Sequence, residues 1–216
     1  MTTGHALKHA PWEEIPGLVH GFLPGRAEPD DAIHAPRQVH GTRVATLERA
    51  APRPDADGLA TAEAGASVGV VTADCVPILM LARRRHAIAA VHAGWRGAAG
   101  GVVESALAQL RSAFGVEPPD VEVAMGPAIG GCCYEVGPEV REAFAARTGD
   151  VTSPAWRTRG GRDVVDLRAA IRCLLAAAGV ARVTTIGPCT RCATEYCSYR
   201  RDGAAAGRQW SFIGWT

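Results

Sequence analysis

The chain predicts a single α/β domain of mixed sheets covered by helices, and three observations carry that reading. Short β-type runs dominate the first half. Helical patterns accompany the later ones, and the two kinds interleave without a clean βαβ alternation. The 216 residues are 47% apolar and 21% charged. That suits one globular domain over 1–216, with no repeat or low-complexity linker to divide it.

In chain order, 18–22 and 43–47 are the first strand candidates. Stretches 68–72, 76–82 and 87–92 are clearer, because they are apolar runs of strand length. Over 98–114, Val102, Val103, Ala106, Leu107 and Leu110 fall on one helix face. Stretch 121–125 is a further buried strand. A helix is expected over 138–146, with Pro138 near its start. Another is expected over 166–178, with Asp166 as N-cap and Gly179 as C-terminal stop. Stretch 183–186 ends the set as a strand. The segments 24–31, 50–57 and 152–162 read as surface loops.

Charge nearly cancels, with 23 basic against 22 acidic residues. No basic field favours nucleic acid or a membrane surface as a partner. Lys8 is the only lysine, so the arginines reflect compositional bias rather than RNA binding. The strongly apolar runs are about ten residues or fewer, too short to span a bilayer. Residues 1–12 lack an apolar signal core, so the expected location is the cytoplasm. Seven cysteines are an odd number and suggest reduced thiols with no structural disulfide. Packing is the default role for each of them.

Three segments concentrate the chemistry: Gln38-Val39-His40-Gly41, Thr72-Ala73-Asp74-Cys75-Val76-Pro77 and Val91-His92-Ala93-Gly94-Trp95-Arg96-Gly97. Strands 76–82 and 87–92 are joined by the basic turn Arg83-Arg84-Arg85-His86. A turn centred between Arg84 and Arg85 pairs His92 with Pro77 and puts Cys75 on the same face. Diagonal neighbours of this kind lie about 7–8 Å apart at Cα, close enough for a thiolate and an imidazole to share one metal. An odd-length turn would send one of them to the other face. His40, before Gly41, is the best third ligand. A His/Cys/His set leaves a fourth tetrahedral position open, as catalytic zinc requires. On spacing alone, Cys75 as core packing and the histidines as surface residues remain an equal alternative.

Further motifs stand in order along the chain: Asp55-Ala56-Asp57-Gly58, Gly126-Pro127-Ala128-Ile129-Gly130, Cys133-Tyr134-Glu135-Val136-Gly137, Cys189-Thr190, Ser198-Tyr199-Arg200-Arg201-Asp202-Gly203 and Gly207-Arg208. Together with the first three segments they resemble the laccase-domain family, also called multicopper polyphenol oxidase-like or purine nucleoside phosphorylase-like. The match runs from about Val19 to Trp215. The resemblance implies one metal, usually zinc, held by His40, Cys75 and His92. It implies phosphorolysis of purine nucleosides (adenosine, inosine, guanosine, methylthioadenosine) to base and ribose 1-phosphate, with adenosine deamination at the same site. The fold it implies is akin to the catalytic domain of deamidating toxins. Two departures are visible. Tyr196-Cys197 stands where the family usually has an aromatic pair, and Cys132, Cys192 and Cys197 are extra.

Beyond the ligands, Arg96 and Asp74 are assigned with Cys75 and His92 to catalysis, and Gln38, Tyr134, Arg200 and Arg201 to substrate binding. Arg96 leads into the helix expected near Ala98, and a helix start beside an arginine suits phosphate. Equally, the glycines there serve only a tight turn. Adjacent arginines point apart in a strand, so at most one of Arg200 and Arg201 reaches the site. Asp55, Asp57 and Asp74 are candidate acids or bases. The first two equally build a turn, and Asp74 equally makes a supporting contact.

Other readings compete. A multicopper oxidase needs many histidines; this chain has seven and no His-x-His. A single blue-copper site would need an axial methionine, and nothing places Met80 or Met125 there. Copper would nonetheless displace zinc from many such sites in vitro. A cysteine hydrolase would use Cys75 as nucleophile and His92 as base, and would work after chelation. A non-catalytic partner of another protein would turn over no nucleoside. The oligomeric state is open.

Overall fold

The computed structural model describes residues 6–27, 29, 33–49 and 51–216. Parts of the expected loops 24–31 and 50–57, and the first five residues of the segment read for a signal core, lie outside them. A short helix α1 (Ala10–Glu13) precedes β1 (Leu18–Phe22). Then come β2 (Val44–Thr46), β3 (Gly58–Thr61), β4 (Ala66–Thr72), β5 (Val76–Ala82) and β6 (Ala87–Ala93). Helices α2 (Trp95–Gly100) and α3 (Val102–Phe114) follow, then β7 (Glu122–Met125) and β8 (Glu135–Val136). The second half adds α4 (Pro138–Thr148), β9 (Trp156–Arg159), β10 (Arg162–Val165), α5 (Leu167–Ala177), β11 (Arg182–Thr185), α6 (Tyr199–Asp202) and β12 (Gln209–Trp215).

The largest sheet runs β11-β7-β5-β6-β3-β2, mixing parallel and antiparallel pairs. A second sheet, β1-β12-β4, is antiparallel throughout. A third, β8-β10-β9, stands apart. All seven residues of β5 and of β6 are buried, because apolar material covers both faces. Alternation divides that material. Val76, Ile78 and Met80 join a core with Leu107, Leu110, Ile171 and Leu174 of the helices. Leu79, Leu81 and Ile88 join a second core with Phe22, Val68, Val70 and Ile213 of the β1-β12-β4 sheet. The result is helices, a six-stranded sheet and a three-stranded sheet in layers. Each fully buried Leu, Ile or Phe contributes about 1.5–3 kcal/mol.

Several expectations need correction. The helix expected over 98–114 begins earlier and breaks into α2 and α3 at Gly101, whose φ is +106°. The segment 152–162, expected as a loop, holds a 3-10 turn and the β9–β10 hairpin, which reverses at the positive-φ pair Gly160-Gly161. By contrast, Asp166 caps α5 as expected, its carboxylate accepting the Arg168 and Ala169 N–H groups at 3.1 and 3.2 Å. Among the described residues no helix is long and apolar enough to cross a membrane.

Candidate active site and metal centre

The β5–β6 hairpin has the register expected from its four-residue turn. Pro77 pairs with His92 and Val76 with Ala93. Cys75, one residue before β5, therefore lies beside the end of β6. His40 reaches the same point from the loop before β2, in a left-handed conformation (φ 58°). One ligand atom from each of His40, Cys75 and His92 lies within 4.8 Å of the others. The His40 and His92 rings meet edge to face at 4.7 Å. A side chain at Gly94 would intrude: its Cβ would fall 3.1 Å from Cys75 Sγ and 3.4 Å from the His40 ring. Glycine there leaves the space between the three donors open.

Asp57 organises this corner. It is fully buried, one residue before β3. Its carboxylate lies 2.8 Å from His92 Nδ1 and accepts the N–H groups of His40 at 3.0 Å and Gly41 at 2.6 Å. Holding Nδ1 turns the other ring nitrogen, Nε2, towards Cys75. Burial opposes charge on the imidazole, yet hydrogen bonds with Asp57 and Cys75 outweigh it and raise His92 to about 9. Burial likewise opposes the Cys75 thiolate, but contacts with His40 and His92 bring its pKa down to about 7. Without a metal these groups favour a thiolate–imidazolium pair. With one, they offer two imidazole nitrogens and a sulfur, a donor set that suits zinc and leaves one tetrahedral position free.

Beside this corner is a cavity of about 370 Å³, lined by His40, Cys75, Trp95, Arg96, Tyr134 and Arg200 among others. Its size falls in the range for small-molecule sites. Arg96, in the first turn of α2, stacks on Trp95 at 4.4 Å. Arg200 lies 5.2 Å from the Tyr134 ring, and its Nη1 donates to the Glu135 carbonyl at 2.9 Å. Burial, with the charge of Cys75, pushes the Tyr134 phenol up to about 12, so it remains a donor.

Three assigned residues make supporting contacts within the fold. Gln38 pairs its side-chain amide with both backbone groups of Val71, each at 2.8 Å, and so anchors the His40 loop to β4. Arg201 donates to the carbonyls of Thr190 and Tyr196, both at 2.8 Å, and holds the loop between them. Asp74 lines the cavity, but its carboxylate accepts the Thr190 hydroxyl at 2.7 Å and the Arg200 N–H at 2.6 Å. It links the Cys75 turn to the α6 segment. Residues 25–216 match the family model described as multi-copper polyphenol oxidoreductase laccase. The chain belongs to that laccase family.

Within the family, the chain is 36% identical over 191 residues to purine nucleoside phosphorylase YlmD of Geobacillus stearothermophilus, covering 82% of this chain and 70% of that protein. It is 36% identical over 197 residues to adenosine deaminase RL5 from an unknown prokaryotic organism, covering 85% and 75%. The crystal structure of YlmD superposes with a TM-score of 0.81, at 29% identity, over 93% of this chain and 92% of that one. Both relatives carry enzyme names, which supports an enzymatic role for this laccase-family chain.

Trp95, Tyr199 and Arg208 also line the cavity. The sequence displays all three inside its motifs, but nothing in their spacing separates them from turn-forming neighbours. Asp57 is legible only as one of two aspartates in a turn. Its task depends on contacts to residues 16 to 35 positions away. The unusual pair Tyr196-Cys197 is buried, with the Cys197 N–H donating to Gln209 Oε1 at 2.9 Å.

Proposed function

We propose that this chain is a zinc-dependent purine nucleoside phosphorylase, converting adenosine, inosine, guanosine or methylthioadenosine to the base and ribose 1-phosphate, with adenosine deaminase activity at the same site. The observation that carries the reading is the convergence of His40, Cys75 and His92 at the wall of a cationic cavity. In this reading those three residues hold one zinc ion. Zinc bound there would supply Lewis acidity, polarising a substrate oxygen or nitrogen. Copper would compete for the same donors in vitro.

The chain's own groups divide the remaining work. Arg96, Arg200 and Arg208 line the cavity and give phosphate a cationic seat. Tyr134, Tyr199 and Trp95 offer ring faces and a phenol to the nucleoside. A phosphate oxygen bonds to C1′ as the glycosidic bond breaks, and the departing purine takes the proton that phosphate gives up. Asp57 positions His92, and Asp74 positions Arg200. The substrates are small molecules, with neither nucleic acid nor membrane involved. All seven cysteines are unpaired, which supports a reducing, cytoplasmic setting.

One observation favours a second reading. Asp57, His92 and Cys75 form an orienter, a base and a lowered-pKa thiol, as a cysteine hydrolase would need. A panel of nucleosides with and without phosphate decides between the two. The phosphorylase reading expects ribose 1-phosphate only when phosphate is present. Arg96→Ala should raise the KM for phosphate while thermal stability stays near wild type. Failure to form both ribose 1-phosphate from any of the nucleosides and inosine from adenosine would overturn the reading.

A further inference from the structure

Four more sulfurs meet outside the cavity. Cys132 and Cys133 lie between β7 and β8; Cys189 and Cys192 lie between β11 and α6. A backbone bridge from Ala128 to Cys189 sets the two loops side by side. All four sulfurs lie within 4.8 Å of one another. Cys192 Sγ is 3.8 Å from Cys132 Sγ and 3.4 Å from Cys133 Sγ. Nothing in the proposed reaction uses them.

We propose that Cys132, Cys133, Cys189 and Cys192 form a second metal site, a tetrathiolate that holds one zinc ion and fastens the two loops together. Zinc–sulfur bonds of about 2.3 Å in a tetrahedron put the sulfurs about 3.8 Å apart, close to the two separations here. Cys189 and Cys192 have the two-residue spacing of a zinc turn. The N–H groups of Cys192 and Ala193 both donate to the Cys189 carbonyl, at 3.1 and 3.0 Å, and curl the chain between the sulfurs. Packing does not account for the group, since Cys132 and Cys192 are exposed.

The surroundings suit an anionic metal complex. Four thiolates on a divalent ion carry a net charge of −2. Arg191 Nη1 donates to Cys133 Sγ at 3.5 Å, and Arg159 Nη2 donates to the Cys132 carbonyl at 3.0 Å. The Gly130 N–H donates to Cys189 Sγ at 3.2 Å and orients that sulfur. Four protein ligands close the coordination shell, so the site is structural rather than catalytic. Each loop adjoins the cavity wall: Tyr134, next to Cys133, lines it, and Thr190, next to Cys189, donates to the wall residue Asp74 at 2.7 Å. The ion braces that wall from behind.

The test is metal analysis of protein loaded with zinc under reductant, then desalted. Wild type should hold two zinc ions per chain. Cys75→Ala should hold one, and the double variant Cys132→Ser/Cys192→Ser should hold the other. Cobalt(II) in Cys75→Ala should give strong sulfur-to-metal charge-transfer absorption, lost when Cys132 and Cys192 are also replaced. Zinc should shield four of the six remaining thiols of Cys75→Ala from a thiol reagent, and chelation should expose them. That shielding decides the matter even if the double variant fails to fold. A wild type with one zinc that vanishes in Cys75→Ala would overturn this proposal and leave the His40/Cys75/His92 centre standing. Iron in place of zinc, or disulfides among the four, would overturn it as well.

Discussion

His92 presents one nitrogen towards Cys75 because Asp57 holds the other, at 2.8 Å in a fully buried setting. Burial opposes the Asp57 charge, but hydrogen bonds from His92, Gly41 and His40 keep its pKa below the ordinary carboxylate range. Asp57→Asn keeps the shape and removes the charge. Loss of such a supporting contact typically costs roughly 10–100-fold in metal affinity, and zinc titration with a competing chelator should show a fall of that order. Unchanged affinity would mean that the contact only shapes the loop. His20 supplies a prediction on pH. Burial is the main cause that lowers its pKa to about 4, and its Nε2 accepts the His9 N–H at 2.9 Å. Well above pH 6.5 His20 is neutral in both folded and unfolded chains and adds nothing to the pH dependence. Between 6.5 and 4 the unfolded chain takes up a proton that the folded chain resists, so stability falls as pH falls. Denaturant unfolding of wild type should weaken from pH 7 to pH 5, and His20→Asn should show a shallower slope. Equal slopes would contradict this account.

The elements show where sequence reading succeeds and where it stops. The β5–β6 hairpin was legible because two apolar runs flank a short polar turn, and that turn length alone sets which residue opposes which. From it follow the shared face and proximity of Cys75 and His92. The α2–α3 break was not legible. Apolar spacing continues on both sides of Gly100-Gly101, and only the backbone reversal at Gly101 interrupts it. An alanine there would adopt φ +106° and place its Cβ 2.5 Å from the Arg147 guanidinium. Gly101→Ala should therefore cost about 1–3 kcal/mol, seen as a lower Tm; an unchanged Tm would show that the break is not required. The β9–β10 hairpin escaped because its strands are short and rich in arginine, without the alternation that marks a half-buried strand. The Cys132/Cys133/Cys189/Cys192 cluster escaped for a different reason. Its halves are distant in sequence, and the parallel β7–β11 pair with the Ala128–Cys189 bridge beyond it makes them neighbours.

For the whole molecule, stability rests on two apolar cores on opposite faces of one sheet rather than on covalent links. With all seven cysteines unpaired, a strong reductant that does not bind metal should leave Tm unchanged; a drop of many degrees would reveal a disulfide. The same layering brings a loop, a hairpin end and the α6 segment together around one cavity, and the central claim is that a metal held there drives nucleoside cleavage. The most direct test is the rate of ribose 1-phosphate formation from inosine and phosphate, measured on protein reconstituted to graded occupancy of the His40/Cys75/His92 site. The account predicts a rate proportional to that occupancy, vanishing at zero metal and absent in Cys75→Ala and His92→Ala. Full activity in metal-free protein, lost only in Cys75→Ala, would contradict it and establish Cys75 as the nucleophile.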